Sequence, residues 1–151
     1  MNEKTISGIQ KELFDLWESM EGIYDQVLAR WELSYNSFSV LYSLQKNPEG
    51  LEPSRLAELV GVSRQIMTIL LNELEERGFI LRKNQKEDRR RRRILLSRPG
   101  IRFADEVLQA VNALDGRVLS TFTEPDAQML LELTRRYCAA LKTAANELPI
   151  V

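Results

Sequence analysis

The sequence predicts a mostly α-helical chain with a small β-hairpin: a winged helix-turn-helix set between long N- and C-terminal helices. Three observations carry that expectation. Two helical patterns between Pro53 and Arg77 meet at Gly61. Gly78 closes the second, and a strand–loop–strand with five consecutive arginines, Arg89 to Arg93, follows it. Long amphipathic repeats occupy both ends of the chain.

From Ile6 to Trp31, apolar residues fall at Ile9, Leu13, Leu16, Trp17, Met20, Ile23, Tyr24, Val27, Leu28 and Trp31. Spacings of three and four predict one long amphipathic helix of about seven turns. Such a helix outruns what a small domain covers. Its stripe reads either as a core face of this chain or as a surface for a second copy. Leu33 to Gln45 reads as a second helix, with Ser34 or Asn36 as its cap and Phe38, Val40, Leu41 and Leu44 on its apolar side. The cluster Asn47-Pro48-Glu49-Gly50 ends it. Pro53 suits the first position of the next helix, where its missing N–H is not needed. That helix, Pro53 to Val60, is expected to turn Leu56, Leu59 and Val60 inward.

Ala57, Gly61 and Met67 have the spacing of a helix-turn-helix. A small residue lets two helices cross closely, glycine accepts the left-handed turn, and an apolar residue fills the gap. Ser63 is the expected cap of the second helix. Ile66, Met67, Leu70, Leu71 and Leu74 are assigned to its inner side. Arg64, Gln65, Thr68, Ile69, Asn72 and Glu73 are left on the outer one. Phe79 to Lys83 reads as a strand, residues 84–88 as a polar loop, and Arg89 to Ser97 as the returning strand, with Ile94 and Leu96 on one face. Residues 84–88 hold neither Asn-Gly nor Asp-Gly, so the loop exceeds two residues. Ser97 caps a further helix with Pro99 in its first turn. Its stripe is Phe103, Val107, Leu108, Val111, Leu114, Val118 and Leu119. Thr123, Pro125 and Asp126 open the last helix in a capping-box-like arrangement. Leu130, Leu133, Tyr137, Leu141 and Ala144 continue it. The expected organisation is a terminal helix at 1–32, a winged lobe at 33–97 and further helices at 98–151.

Net charge is −1, but it is unevenly placed. Residues 1–60 carry five basic and ten acidic side chains, residues 61–100 eleven and five, and residues 101–151 five and seven. Positive charge gathers in the middle third, and a local basic patch is the footprint of phosphate binding. No apolar run approaches the ~20 residues that span a bilayer, and the first residues lack the apolar region of a secretory signal. A cytoplasmic location without a membrane partner is expected. Cys138 is the only cysteine and histidine is absent, so an internal disulfide or a Cys/His zinc set cannot form. Without histidine, a nucleophile elbow, a phosphate loop or a dinucleotide fingerprint, catalysis has no supporting residues. No cofactor or metal is expected.

Double-stranded DNA is the expected partner. Side chains near the start of a helix lying in the major groove reach base edges, and Ser63, Arg64, Gln65, Thr68 and Asn72 can hydrogen-bond there. Arg64 suits guanine and Gln65 adenine. The same residues also read as an ordinary polar helix face. The arginine run tilts the balance, because adjacent guanidiniums repel one another unless a polyanion relieves them. An arginine-rich wing suits a narrow minor groove and flanking phosphates.

Over nearly the whole chain, and most specifically from Leu56 to Gly100, the residues resemble the MarR-type (multiple-antibiotic-resistance regulator) winged-helix transcription regulators. The likeness rests on LAELVGVS, on NELEERGFILR, and on Asp88-Arg89-Arg90 followed by a strand and Leu96-Ser97-Arg98-Pro99-Gly100. The resemblance implies a homodimer with interleaved terminal helices, binding a pseudo-palindromic operator, and a repressor relieved by a small ligand. It implies a recognition helix using Ser63, Arg64, Gln65, Thr68, Ile69 and Asn72. It also implies a wing contacting DNA through Arg89, Arg90 and Arg91, with Arg90 in the minor groove and Asp88 supporting the wing by a salt bridge. An aromatic effector would lie near Trp17, Tyr24, Trp31, Tyr35, Phe38 and Tyr42, although aromatics at this spacing also read as core. Ile69 and Glu73 stand where the family often carries basic residues, Arg92 and Arg93 replace apolar strand residues, and Glu52 replaces a Ser/Thr cap. Cys138 reads as buried filler. Ile69 and Glu73 keep a second reading open, a winged-helix dimer that has lost DNA binding and docks protein partners.

Overall fold

The computed structural model describes residues 1–84 and 92–148. Internal contacts divide the chain into two compact units, Met1–Leu108 and Gln109–Val151.

In the first unit, α1 spans Glu3–Leu28. It begins three residues before the expected Ile6 because the Asn2 side chain accepts from the Thr5 N–H at 2.9 Å, satisfying one of the donors a helix start leaves unpaired. It ends earlier than expected. A single 3-10 turn, Ala29–Trp31, follows, and Glu32 adopts a left-handed conformation at φ 53° that few non-glycine residues occupy. This turn pushes the start of α2 to Tyr35, so α2 spans Tyr35–Gln45. Ser34 is its cap, accepting from the Ser37 N–H at 3.1 Å, and Asn36 lies inside the helix instead.

Helix α3 spans Pro53–Val60 and α4 spans Arg64–Glu76. Gly61 makes the left-handed turn between them at φ 77°, where a side chain would be strained. Ser63 accepts from the Ile66 N–H and caps α4. Of the residues expected inside, Leu59 and Ile66 are exposed instead. Each lies one helical step beside the buried rows, Leu56–Ala57 on α3 and Met67–Leu70–Leu71–Leu74 on α4.

The hairpin pairs β1, Ile80–Asn84, antiparallel with β2, Arg92–Leu96, from Ile80↔Leu96 to Asn84↔Arg92. The first strand starts one residue later than expected, since Phe79 still belongs to the turn: its N–H donates to Leu74 O. On the other side of β2, Leu51 and Ile94 exchange backbone hydrogen bonds of 3.0 and 2.8 Å. Gly50 precedes that bridge at φ 86°, and a Cβ there would meet Ile94 O at 2.7 Å. Helix α5, Arg98–Leu119, starts at the hairpin's root. The Ser97 hydroxyl donates to Gly78 O at 2.6 Å and accepts from the Gly100 N–H at 3.0 Å. Gly100 packs so close that an added Cβ would fall 1.8 Å from Phe79 O.

The core of this unit joins Leu28, Leu41, Leu44, Leu56, Met67, Leu71, Leu74, Ile80, Ile94 and Val107, all fully buried. Each such side chain contributes about 1.5–3 kcal/mol over an exposed one. Arg77, just past α4, ties the helix-turn-helix to the α1–α2 junction. Its guanidinium donates to Glu32 O at 2.8 Å and to Trp31 O at 2.7 Å. It lies 5.0 and 5.4 Å from the ring centres of Phe79 and Phe103, which stack at 4.0 Å. The carbonyls at a helix end lack partners within the helix, so a cation there completes the end of the 3-10 turn.

The second unit contains residues 109–119 of α5 and helix α6, Glu124–Glu147. Thr123 caps α6, accepting from the Asp126 N–H and donating to its carboxylate at 2.6 Å. Met129, Leu130, Leu133, Tyr137 and Leu141 are exposed in the single chain, and so is Cys138, which is therefore not buried filler within this chain. Among the described residues no helix is long and apolar enough to cross a membrane.

Candidate nucleic-acid interface

The outer face of α4 carries the residues expected to meet DNA. Arg64, Gln65, Thr68, Ile69 and Asn72 are all exposed, as is the cap Ser63. At 100° per residue they fill one broad stripe, opposite the Met67–Leu74 rows that hold the helix to the core. Ile69 is 65% exposed, a large apolar side chain left uncovered by the described residues.

Internal hydrogen bonds sort these groups by what each has left to offer. The Ser63 oxygen is taken by the cap, which leaves its O–H as a donor. The Thr68 hydroxyl donates back to Arg64 O at 2.9 Å, so its methyl and its lone pairs point outward. Asn72 accepts from Arg82 of β1. The side chains of Arg64 and Gln65 make no hydrogen bond among the described residues. Two shallow hollows of about 390 and 380 Å³ flank the α3–α4 crossing, and Ser54 and Arg64 line both.

Arg82 was not singled out by sequence reasoning, and the signal for it is period-two alternation. Ile80 and Arg82 lie on one face of β1, and Ile80 is buried, so Arg82 turns toward the body. There its Nε lies 2.9 Å from the Glu75 carboxylate, an ion pair without hydrogen-bond alignment, and its Nη2 donates to Asn72. Arg93, part of the arginine run, lies on the opposite face from Ile94 but is engaged as well: it donates to the carbonyls of Glu49 and Gly50 at 3.2 and 3.4 Å. Arg92 is exposed. Asp88, Arg89, Arg90 and Arg91, the expected wing contacts, lie outside the described residues.

The six expected effector-site aromatics lie in different surroundings. Trp17, Tyr24 and Tyr35 line a shallow groove of about 410 Å³, with Met20, Glu21 and Asn36. Trp31 points elsewhere and donates its indole N–H to Glu106 at 2.9 Å. Phe38 is buried, and Tyr42 is exposed beneath Lys46. The rings nevertheless form a ladder, Tyr24–Tyr35–Phe38–Tyr42, with centres 5.7 to 6.3 Å apart. No group of three or more His, Cys, Asp or Glu able to hold a metal occurs among the described residues.

Comparison with known proteins agrees with this architecture. A transcription regulator of known structure has a TM-score of 0.84 at 16% identity, over 96% of this chain and 95% of its own. Staphylococcus aureus MepR in complex with DNA has a TM-score of 0.74 at 21% identity, over 86% and 96%. A Thauera aromatica protein, named as a transcriptional regulatory protein for the hcr operon, is 31% identical over 110 residues. That alignment covers 72% of this chain and 66% of the relative's length. These relatives are regulators and not enzymes. Residues 33–91, from the start of the winged lobe into the arginine run, match the MarR family model.

Proposed function

We propose that this chain is a sequence-specific, DNA-binding transcription regulator that acts as a homodimer in the cytoplasm. The observation that carries the proposal is the outer face of α4. It exposes a stripe of hydrogen-bonding side chains of which Arg64 and Gln65 make no hydrogen bond among the described residues. Guanine and adenine edges in a major groove fit those two groups. The DNA-bound form of MepR supports the reading. Ser63, Thr68, Ile69 and Asn72 complete the recognition surface, with Ile69 suited to a thymine methyl. Arg89, Arg90 and Arg91 contact phosphates and the minor groove, and Asp88 supports the wing.

The dimer is built from the terminal segments, residues 1–32 and 98–151. Its support is the exposed apolar stripes of α1 and α6, which water alone would leave unfavourably solvated. Two copies present two recognition helices, and successive major grooves require them roughly 34–36 Å apart. A small aromatic ligand seated in the Trp17–Tyr24–Tyr35 groove shifts that spacing and releases the DNA, so the protein represses in the ligand's absence. Affinity for a palindromic duplex, measured from about 50 to 200 mM salt, tests the reading. A fall of roughly 10³-fold or more is expected for six or more phosphate contacts. A flat response refutes it, and no binding even at low salt favours a protein-docking role instead.

A further inference from the structure

We propose that Arg82 sets the base preference of Asn72, making it a donor that selects guanine rather than a bidentate reader of adenine. The proposal rests on α4 being the recognition helix. An asparagine that reads adenine uses both ends of its amide, the oxygen accepting from N6 and the NH₂ donating to N7. Here the oxygen is engaged. Arg82 Nη2 donates to Asn72 Oδ1, and because a guanidinium only donates, the amide must present its oxygen to Arg82 and its NH₂ elsewhere.

The arrangement is held from behind. Arg82 emerges from the inward face of β1 opposite Ile94, and its Nε is buried 2.9 Å from the Glu75 carboxylate. Its side chain is only a quarter exposed, while Asn72 is exposed on the α4 stripe. The amide oxygen keeps a second lone pair. A donor arriving there would approach a cation, and the same field attracts acceptors. Guanine offers two acceptors, N7 and O6, on its major-groove edge, whereas adenine adds a donor at N6. Arg82 is thus a positioning residue that need not touch DNA.

The test is sequencing of the duplexes that the full-length protein retains from a randomised pool at low salt. Asn72→Ala identifies the position that Asn72 reads, by flattening its preference by roughly fivefold or more. The wild-type protein should favour guanine there. Arg82→Met frees the oxygen and should move the preference toward adenine. Asn72→Asp, an exposed substitution that does not depend on Arg82 being dispensable for folding, leaves only acceptors and should move it toward cytosine. Adenine at that position in the wild type, an unchanged guanine preference in Arg82→Met or Asn72→Asp, or no position altered by Asn72→Ala overturns the proposal. If the wild type retains no duplex at all, the DNA-binding reading itself fails, a result distinct from each of these.

Discussion

Replacing Arg77 by methionine isolates the tie between the helix-turn-helix and the α1–α2 junction. The substitution keeps most of the aliphatic stem and removes the fork. It deletes two hydrogen bonds from a cation, to Trp31 O at 2.7 Å and Glu32 O at 2.8 Å. Bonds of that kind contribute about 1.5–3 kcal/mol each when fully desolvated. The site is half-exposed, so water recovers part of that. Release of the long side chain returns a further ~1.5–2 kcal/mol of entropy. The lost stacking on Phe79 and Phe103 adds about 0.5–1 kcal/mol to the damage. The expected net loss is about 2 kcal/mol, or roughly 4–8 °C in melting temperature for a chain of this size. Urea unfolding followed by circular dichroism, at one fixed protein concentration, measures it. Arg77→Lys should recover only about half, because an ammonium lacks the planar fork that serves two carbonyls and stacks on a ring. A loss below about 0.5 kcal/mol in Arg77→Met, the range of ordinary surface changes, refutes the reasoning. So does full recovery by lysine, which would show that charge alone matters.

Two further perturbations have signed outcomes. Gly100→Ala would ordinarily favour a helix by about 0.5–1 kcal/mol, but the Cβ would sit 1.8 Å from Phe79 O, and overpacking of that kind costs about 1–3 kcal/mol or more. The melting temperature should therefore fall, and a rise would show that α5 can shift freely from the hairpin. Arg90→Ala should lower duplex affinity and reduce its salt slope by about one, with melting temperature unchanged, since it removes one phosphate-neutralising charge. Unfolding of the variant would make Arg90 a structural residue.

The helices were legible because their signals are local. Pro53, Gly61, Ser63, Gly78 and Thr123 mark ends by what each does to its own backbone, and the structure puts each where that chemistry requires. The errors arose where distant elements decide the outcome. Leu59 and Ile66 are apolar but lie one helical step beside the buried rows, and the packing of α3 and α4 leaves them outside. Glu32 gives no warning of a left-handed turn, because the support for it, Arg77, comes from 45 residues away. The α4 stripe was readable from its period, but not which of its groups were already engaged. Arg82 and Arg93 look like solvent-facing charges in the sequence, yet one is turned onto Glu75 and Asn72 and the other onto the α2–α3 loop. Spacing alone also does not separate the rings that line the groove, Trp17, Tyr24 and Tyr35, from a buried one, Phe38.

The two-stranded sheet has a further side to it, which concerns solubility rather than recognition. A strand edge with unpaired backbone groups is a template for another chain, and exposed edges commonly carry charge to prevent that. Leu51 closes the outer edge of β2 only at Ile94, and the adjoining residues are Arg92 and Arg93. Among the described residues the other edge of β1 has no partner strand, and Lys83 is exposed there. Like charges of two copies would meet if these edges tried to pair, so the basic hairpin guards itself against strand-to-strand aggregation. Neutralising Arg92 and Lys83 together removes that repulsion, and the sheet is then held apart from its copies by little more than its shortness.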